Sequence, residues 1–157
     1  MNLQTIATRT ALRTRTLRYV MDHKIVPSAQ VRVIHNEAGR SRDFADDLGV
    51  GIACAAFLLE AGMRREAVAS CIQILAGLNT RPDSPAKGIT LVTVISKRLN
   101  AVVQFGDGVS GRLLLPEENI DSGWLSTQPL AKFDASYSPT VVVEIDIGRL
   151  LARLFDS

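Results

Sequence analysis

The spacing of apolar residues changes character at one place in this chain, the segment GLNTRPDSPAKG at residues 77–88. Upstream, apolar residues recur at helical intervals. Downstream they fall into short, β-branched runs bounded by turn residues. The segment between them is dense in glycine, proline and small polar residues, the composition of a connection between structural units. A chain of 157 residues with this switch is expected to be α+β. We expect a mostly helical unit over residues 1–78, a linker at 79–88 and a small β-rich module over 89–157.

In the first unit, Leu3, Ile6, Ala7, Leu12, Leu17, Val20 and Ile25 predict two short helices with a turn near Thr10 and Ala11. Thr14 is expected to cap a second helix that starts at Arg15, and Pro27 to stop it. A helix-turn-helix follows from that arrangement. Residues 31–34 are β-like, residues 35–39 turn-like, and residues 40–44 lead into a third helix over 45–61. Asp43 or Asp46 would favour the start of that helix by opposing its dipole. Gly62 should end it. A fourth helix is expected over 63–75, with Met63, Ala67, Val68, Cys71, Ile72 and Leu75 on its apolar face.

In the second unit, residues 89–96, 100–105, 111–116 and 140–147 read as strands, with GDGVSG at 106–111 joining two of them in a hairpin. Residues 117–139 show no single periodicity. Residues 148–155, GRLLARLF, form a short amphipathic helix.

Charge is distributed unevenly. Between Met1 and Arg32 the basic residues are Arg9, Arg13, Arg15, Arg18, Lys24 and Arg32, against Asp22 alone, a net charge of +5. From Arg81 onward the balance is −1. Basic charge gathered on a helical segment is the footprint of contact with a polyanion such as nucleic acid, although it also suits a solvated surface.

The residues of this segment resemble the MerR-type family of DNA-binding domains. The motif elements are Ile6, Ala7 and Thr10 in the first helix, Arg15-Thr16-Leu17-Arg18-Tyr19 in the second, and Ile25-Val26-Pro27 after it. Arg42 and Phe44 match the family's wing, and Leu59-Glu60-Ala61-Gly62 its junction between two helices. The resemblance covers residues 3–75 and implies a winged helix-turn-helix that binds double-stranded DNA. It implies DNA contacts from Arg13, Thr14, Arg15, Arg18, Tyr19, Arg40 and Arg42. The second helix would enter the major groove while flanking side chains bind phosphates. The chain departs from the pattern at Val20, where the family has a second aromatic, and at Gly39-Arg40-Ser41-Arg42 in the wing. It also lacks the family's long dimerisation helix, so metal sensing and promoter twisting are not implied.

Other chemistries find little support. Cys54 and Cys71 lie among small apolar residues and read as buried free thiols. With His23 and His35 they make a zinc set on paper, but without paired-ligand spacing, so no metal or other cofactor is expected. Glu144 and Asp146 alternate with Val143, Ile145 and Ile147 and should form the solvated face of a strand. GDGVSG lacks the Gly-Lys-Ser/Thr of a phosphate loop. With no Ser/His or Cys/His set in evidence, an enzyme is not expected.

The expectation is therefore a sequence-specific transcriptional regulator, cytoplasmic and homodimeric through its C-terminal half. The alternatives are a protein-interaction adaptor, or an excisionase-like factor of the phage type, with the same winged shape. No run of about 18 uncharged apolar residues occurs, so no membrane span is expected. The N-terminal residues lack the apolar centre of a signal peptide.

Overall fold

Asn2 begins the first helix, its Oδ1 accepting the Thr5 N–H at 2.8 Å. In a computed structural model of the chain, residues 1–26, 32–36, 39–78, 90–126, 132–133 and 137–156 are described. The side chains of residues 32–36, 39–42, 126 and 132–133 lie outside that description. Helix α1 (Leu3–Thr10) buries Ile6, Ala7 and Thr10 and ends at Ala11, whose φ of 59° is left-handed. Helix α2 (Thr14–Asp22) follows and buries Leu17, Val20 and Met21. Thr14 is its first helical residue, and Arg13 takes the N-cap position expected for Thr14. Ile25 and Val26 are buried just beyond, while Pro27 lies outside the described residues.

Strands β1 (Arg32–Asn36) and β2 (Gly39–Asp43) pair antiparallel, Arg32 opposite Asp43 and Asn36 opposite Gly39. Residues 40–43, expected to lead into a helix, are therefore half of a hairpin. Helix α3 (Asp46–Glu60) carries Asp46 and Asp47 in its first turn, where carboxylates oppose the helix dipole. Gly62 follows it with φ +92°, a conformation that L side chains rarely adopt. Helix α4 (Arg65–Gly77) buries Val68, Cys71, Ile72, Ile74 and Leu75. Both cysteines are free and buried, as their surroundings implied.

The linker expected at 79–88 lies outside the described residues. Beyond it one expectation fails: residues 89–96 are not a strand, because helix α5 occupies Leu91–Lys97. Thr90 caps it, accepting the Thr93 N–H at 3.1 Å. Leu91, Val94 and Ile95 fall at i, i+3 and i+4, a helical stripe. Val94 and Ile95 are buried, and that packing overrides the β-preference of a run rich in Val, Ile and Thr.

Strands β3 (Val102–Gly106) and β4 (Ser110–Leu115) form the expected hairpin, turning at Asp107 and Gly108, both with positive φ. A 3₁₀ turn (Pro116–Glu118) and the short strands β5 (Ile120–Asp121), β6 (Leu125–Ser126) and β7 (Lys132–Phe133) occupy the stretch without clear periodicity. Strand β8 (Val142–Asp146) pairs with β3 and runs directly into helix α6 (Ile147–Phe155). The sheet order is β7-β6-β4-β3-β8, with β5 on β4, so β8 is an edge strand.

Helices dominate the N-terminal part and strands the C-terminal part, the mixed class expected. One hydrophobic core nonetheless runs through both, from Ile6 and Leu17 to Phe105, Leu151 and Leu154. Helix α4 lies on β4, where Gly111 leaves room for the Ile74 side chain. Helix α6 packs on α1, and Arg9 donates to the Leu154 carbonyl at the end of α6. Arg98 joins the same region, its guanidinium 3.6 Å from the centre of the Phe155 ring and 3.9 Å from an Asp46 carboxylate oxygen. No described helix is long and apolar enough to cross a membrane.

Candidate nucleic-acid interface

Helix α2 presents two unlike faces. Its apolar side, Leu17, Val20 and Met21, is sealed against α1 and α3. Arg15, Arg18, Tyr19 and Asp22 turn to solvent on the other side, because residues three and four apart share a helix face. Arg13 is exposed at the start of the helix and Thr14 is half-buried. Among the described residues, no carboxylate forms an ion pair with Arg13, Arg15 or Arg18. Tyr19 is 38% exposed, and its ring lies 4.1 Å from that of His23, centre to centre. Its hydroxyl end is therefore not consumed by core packing.

The wing residues divide differently. Arg40 and Arg42 lie on β2, opposite His35 and Val33, but their side chains fall outside the described residues. The structure thus brings together Arg13, Thr14, Arg15, Arg18 and Tyr19 on one helix. It leaves the side-chain contacts of Arg40 and Arg42 undescribed.

Three further residues join this surface: Arg65, which the sequence did not single out, and His23 and Glu60, noted there in other roles. Arg65, in the first turn of α4, approaches His23 with Nη1 3.2 Å from Nδ1. A guanidinium has only donors, so the imidazole accepts at Nδ1. Arg65 thereby extends the basic rim of α2 beyond His23. The approach of Arg65 to α2 depends on how α4 packs, so no local sequence signal marks it. The third is Glu60, at the end of α3. Its Oε1 accepts the Arg13 N–H at 3.1 Å and the Thr16 hydroxyl at 2.9 Å. Arg13 makes no side-chain cap, so Glu60 supplies from another helix the anion that the N-terminus of α2 favours.

The C-terminal sheet carries a polar row on its outer face. Gln104 donates to Glu144 at 2.8 Å and accepts from Arg112 at 2.7 Å, while Arg112 also reaches Asp121 at 3.2 Å. Glu144 and Asp146 are exposed, as expected of a solvated strand face. Among the described residues, no group of three or more His, Cys, Asp or Glu side chains could hold a metal ion.

These features define the chain as a mixed α/β protein whose second helix bears a basic, solvent-facing side. Comparison with known protein families, curated proteins and solved structures found no match.

Proposed function

We propose that the chain is a sequence-specific DNA-binding protein, a cytoplasmic transcriptional regulator whose α2 enters the major groove. The observation that carries this reading is the amphipathic build of α2. Its apolar side is sealed, and its outer side offers Arg15 and Arg18 without carboxylate partners among the described residues. Arginine can pair bidentately with guanine or hold a phosphate. Arg13, Thr14 and Tyr19 flank that face and bind phosphates, and Arg65 lengthens the phosphate-binding rim. The hairpin β1–β2 is the wing, with Arg40 and Arg42 as its backbone contacts. The likeness of residues 3–75 to MerR-type domains supports the same assignment. A homodimer joined through the C-terminal half would present two α2 helices to paired half-sites.

The test is a fluorescence-anisotropy titration on mixed duplex DNA at several salt concentrations. Binding should weaken steeply with salt, and Arg15→Ala and Arg18→Ala should each reduce the logarithmic salt slope by about 1. Absence of binding at low salt overturns the reading.

Glu60 favours a second reading, a protein-interaction adaptor. Its carboxylate already occupies the start of α2, where a DNA phosphate would otherwise dock. Under that reading the same two arginine variants leave partner binding intact.

A further inference from the structure

A cleft of about 290 Å³ opens where the end of α3, the edge strand β8 and α6 meet. Its floor is apolar: Phe57 and Leu58 from α3, Val143 and Ile145 from β8, and Leu150 from α6. Its rim carries Glu144, Asp146, Arg149 and Arg153. The two carboxylates are already engaged. Glu144 accepts from Gln104 at 2.8 Å, and Asp146 caps α6 by accepting the Arg149 N–H at 2.8 Å. The arginines are not comparably engaged. Arg149 is three-quarters exposed, with only a 3.9 Å approach to Asp146. Arg153 is exposed and pairs with no carboxylate among the described residues.

Arg149 and Arg153 stand four residues apart on α6, so they share one face and repel each other. An anion seated between them would relieve that repulsion, and a carboxylate matches the guanidinium fork. Apart from Glu144 and Asp146, already engaged by Gln104 and the start of α6, the rest of the cleft is apolar. Its volume lies at the small end of ligand sites, which run from about 300 to 1,000 Å³.

We propose that this cleft binds a small carboxylate with an apolar body, its head between Arg149 and Arg153 and its tail on Phe57, Leu58, Val143 and Leu150. Two of its walls also hold the helix-turn-helix. Phe57, Leu58 and Ala61 bracket Glu60, which caps α2, and α6 is fastened to α1 by Arg9. A ligand that spreads α3 from α6 draws Glu60 away from Arg13 and Thr16. Losing Glu60 there frees the start of α2 for a phosphate, so occupancy of the cleft strengthens DNA binding, and DNA strengthens ligand binding by the same factor. This coupling rests on the DNA-binding reading, whereas the site itself does not.

The experiment is isothermal titration of submicellar octanoate into the full chain, with octanol as the neutral comparison, followed by DNA titrations with and without octanoate. Octanoate should bind saturably and better than octanol. The double variant Arg149→Gln, Arg153→Gln, altered only at exposed positions, should raise its Kd about tenfold. Octanoate should strengthen DNA binding about fivefold or more in the parent chain and leave DNA binding by the double variant unchanged. No octanoate binding, binding equal to that of octanol, or binding indifferent to both arginines overturns the site. Exclusion of octanoate by concentration-driven dimerisation assigns the cleft to a second copy and also overturns it. DNA binding unaffected by bound octanoate overturns the coupling. Octanoate binding by a chain that retains no DNA overturns the functional reading and the coupling together, and upholds the site.

Discussion

Glu60 closes a helix to which it does not belong: its carboxylate accepts the Thr16 hydroxyl at 2.9 Å across the junction of α3 and α2. The same oxygen takes the Arg13 N–H, so a single side chain supplies the cap that Arg13 lacks. Replacing Glu60 by alanine should cost about 1 kcal/mol, the usual loss for an N-cap oxygen. Urea unfolding monitored by circular dichroism checks this. A midpoint equal to that of the parent chain would remove Glu60 from the support of α2.

Ala11 and Gly111 should respond in opposite directions. Ala11 holds φ 59° at the end of α1, where its Cβ strains the backbone. Ala11→Gly should stabilise the chain by about 0.5 kcal/mol, after the greater freedom of glycine in the unfolded chain is counted. A Cβ at Gly111 would overlap the Ile74 side chain, so Gly111→Ala should cost about 1–3 kcal/mol. Thermal unfolding of the two variants beside the parent chain reads both signs at once.

The β3–β4 turn predicts a pH dependence at both extremes. The Asp107 carboxylate accepts from Val141 N–H at 2.9 Å and from the Tyr137 hydroxyl at 2.8 Å. These bonds, the Val141 one foremost, hold its pKa below the ordinary value of 3.8. A depressed acid pKa means stability that is present above 3.8 and lost as pH falls through the lower, folded value. Desolvation first, and then the bond to Asp107, raise Tyr137 above 10.0. Its contribution is present below 10.0 and lost as pH rises through the raised value. Asp107→Asn should flatten the acid limb of the stability profile, and Tyr137→Phe the alkaline limb. An unchanged profile in either variant would sink that half of the prediction.

Burial desolvates both thiols, raising Cys54 to about 12 and Cys71 to about 11. At pH 8 neither supplies appreciable thiolate while folded, so a chromogenic disulfide reagent should react only as fast as the chain opens. Adding denaturant should release both thiols at once. Immediate reaction of the native protein would contradict the burial.

Much of the helical half was legible because its signals are local. Gly62 marks the end of α3 in sequence and in φ, and Asp107-Gly108 marks the hairpin turn. The run ITLVTVIS misleads, since side-chain branching argues for a strand while the apolar positions Leu91, Val94 and Ile95 fit a helix. Strands β5, β6 and β7 are two residues each, too short for any period to register. The basic face of α2 was readable from Arg15, Arg18 and Tyr19. Its support was not, because Glu60 lies 47 residues from Arg13 and 44 from Thr16. The cleft was likewise hidden, since residues 57–61 and 143–153 share a wall only after α6 has docked.

Arg9 is the one basic residue of α1, and it does not face the solvent side of α2; it ties itself to the carbonyl end of α6. That choice bears on any attempt to shorten the protein. A fragment ending at residue 78 would lose the partner of Arg9 and present to water the side of α1 that α6 now covers. Anyone transplanting α1 and α2 into another protein would need to carry α6 with them, or redesign Ile6 and its neighbours as surface.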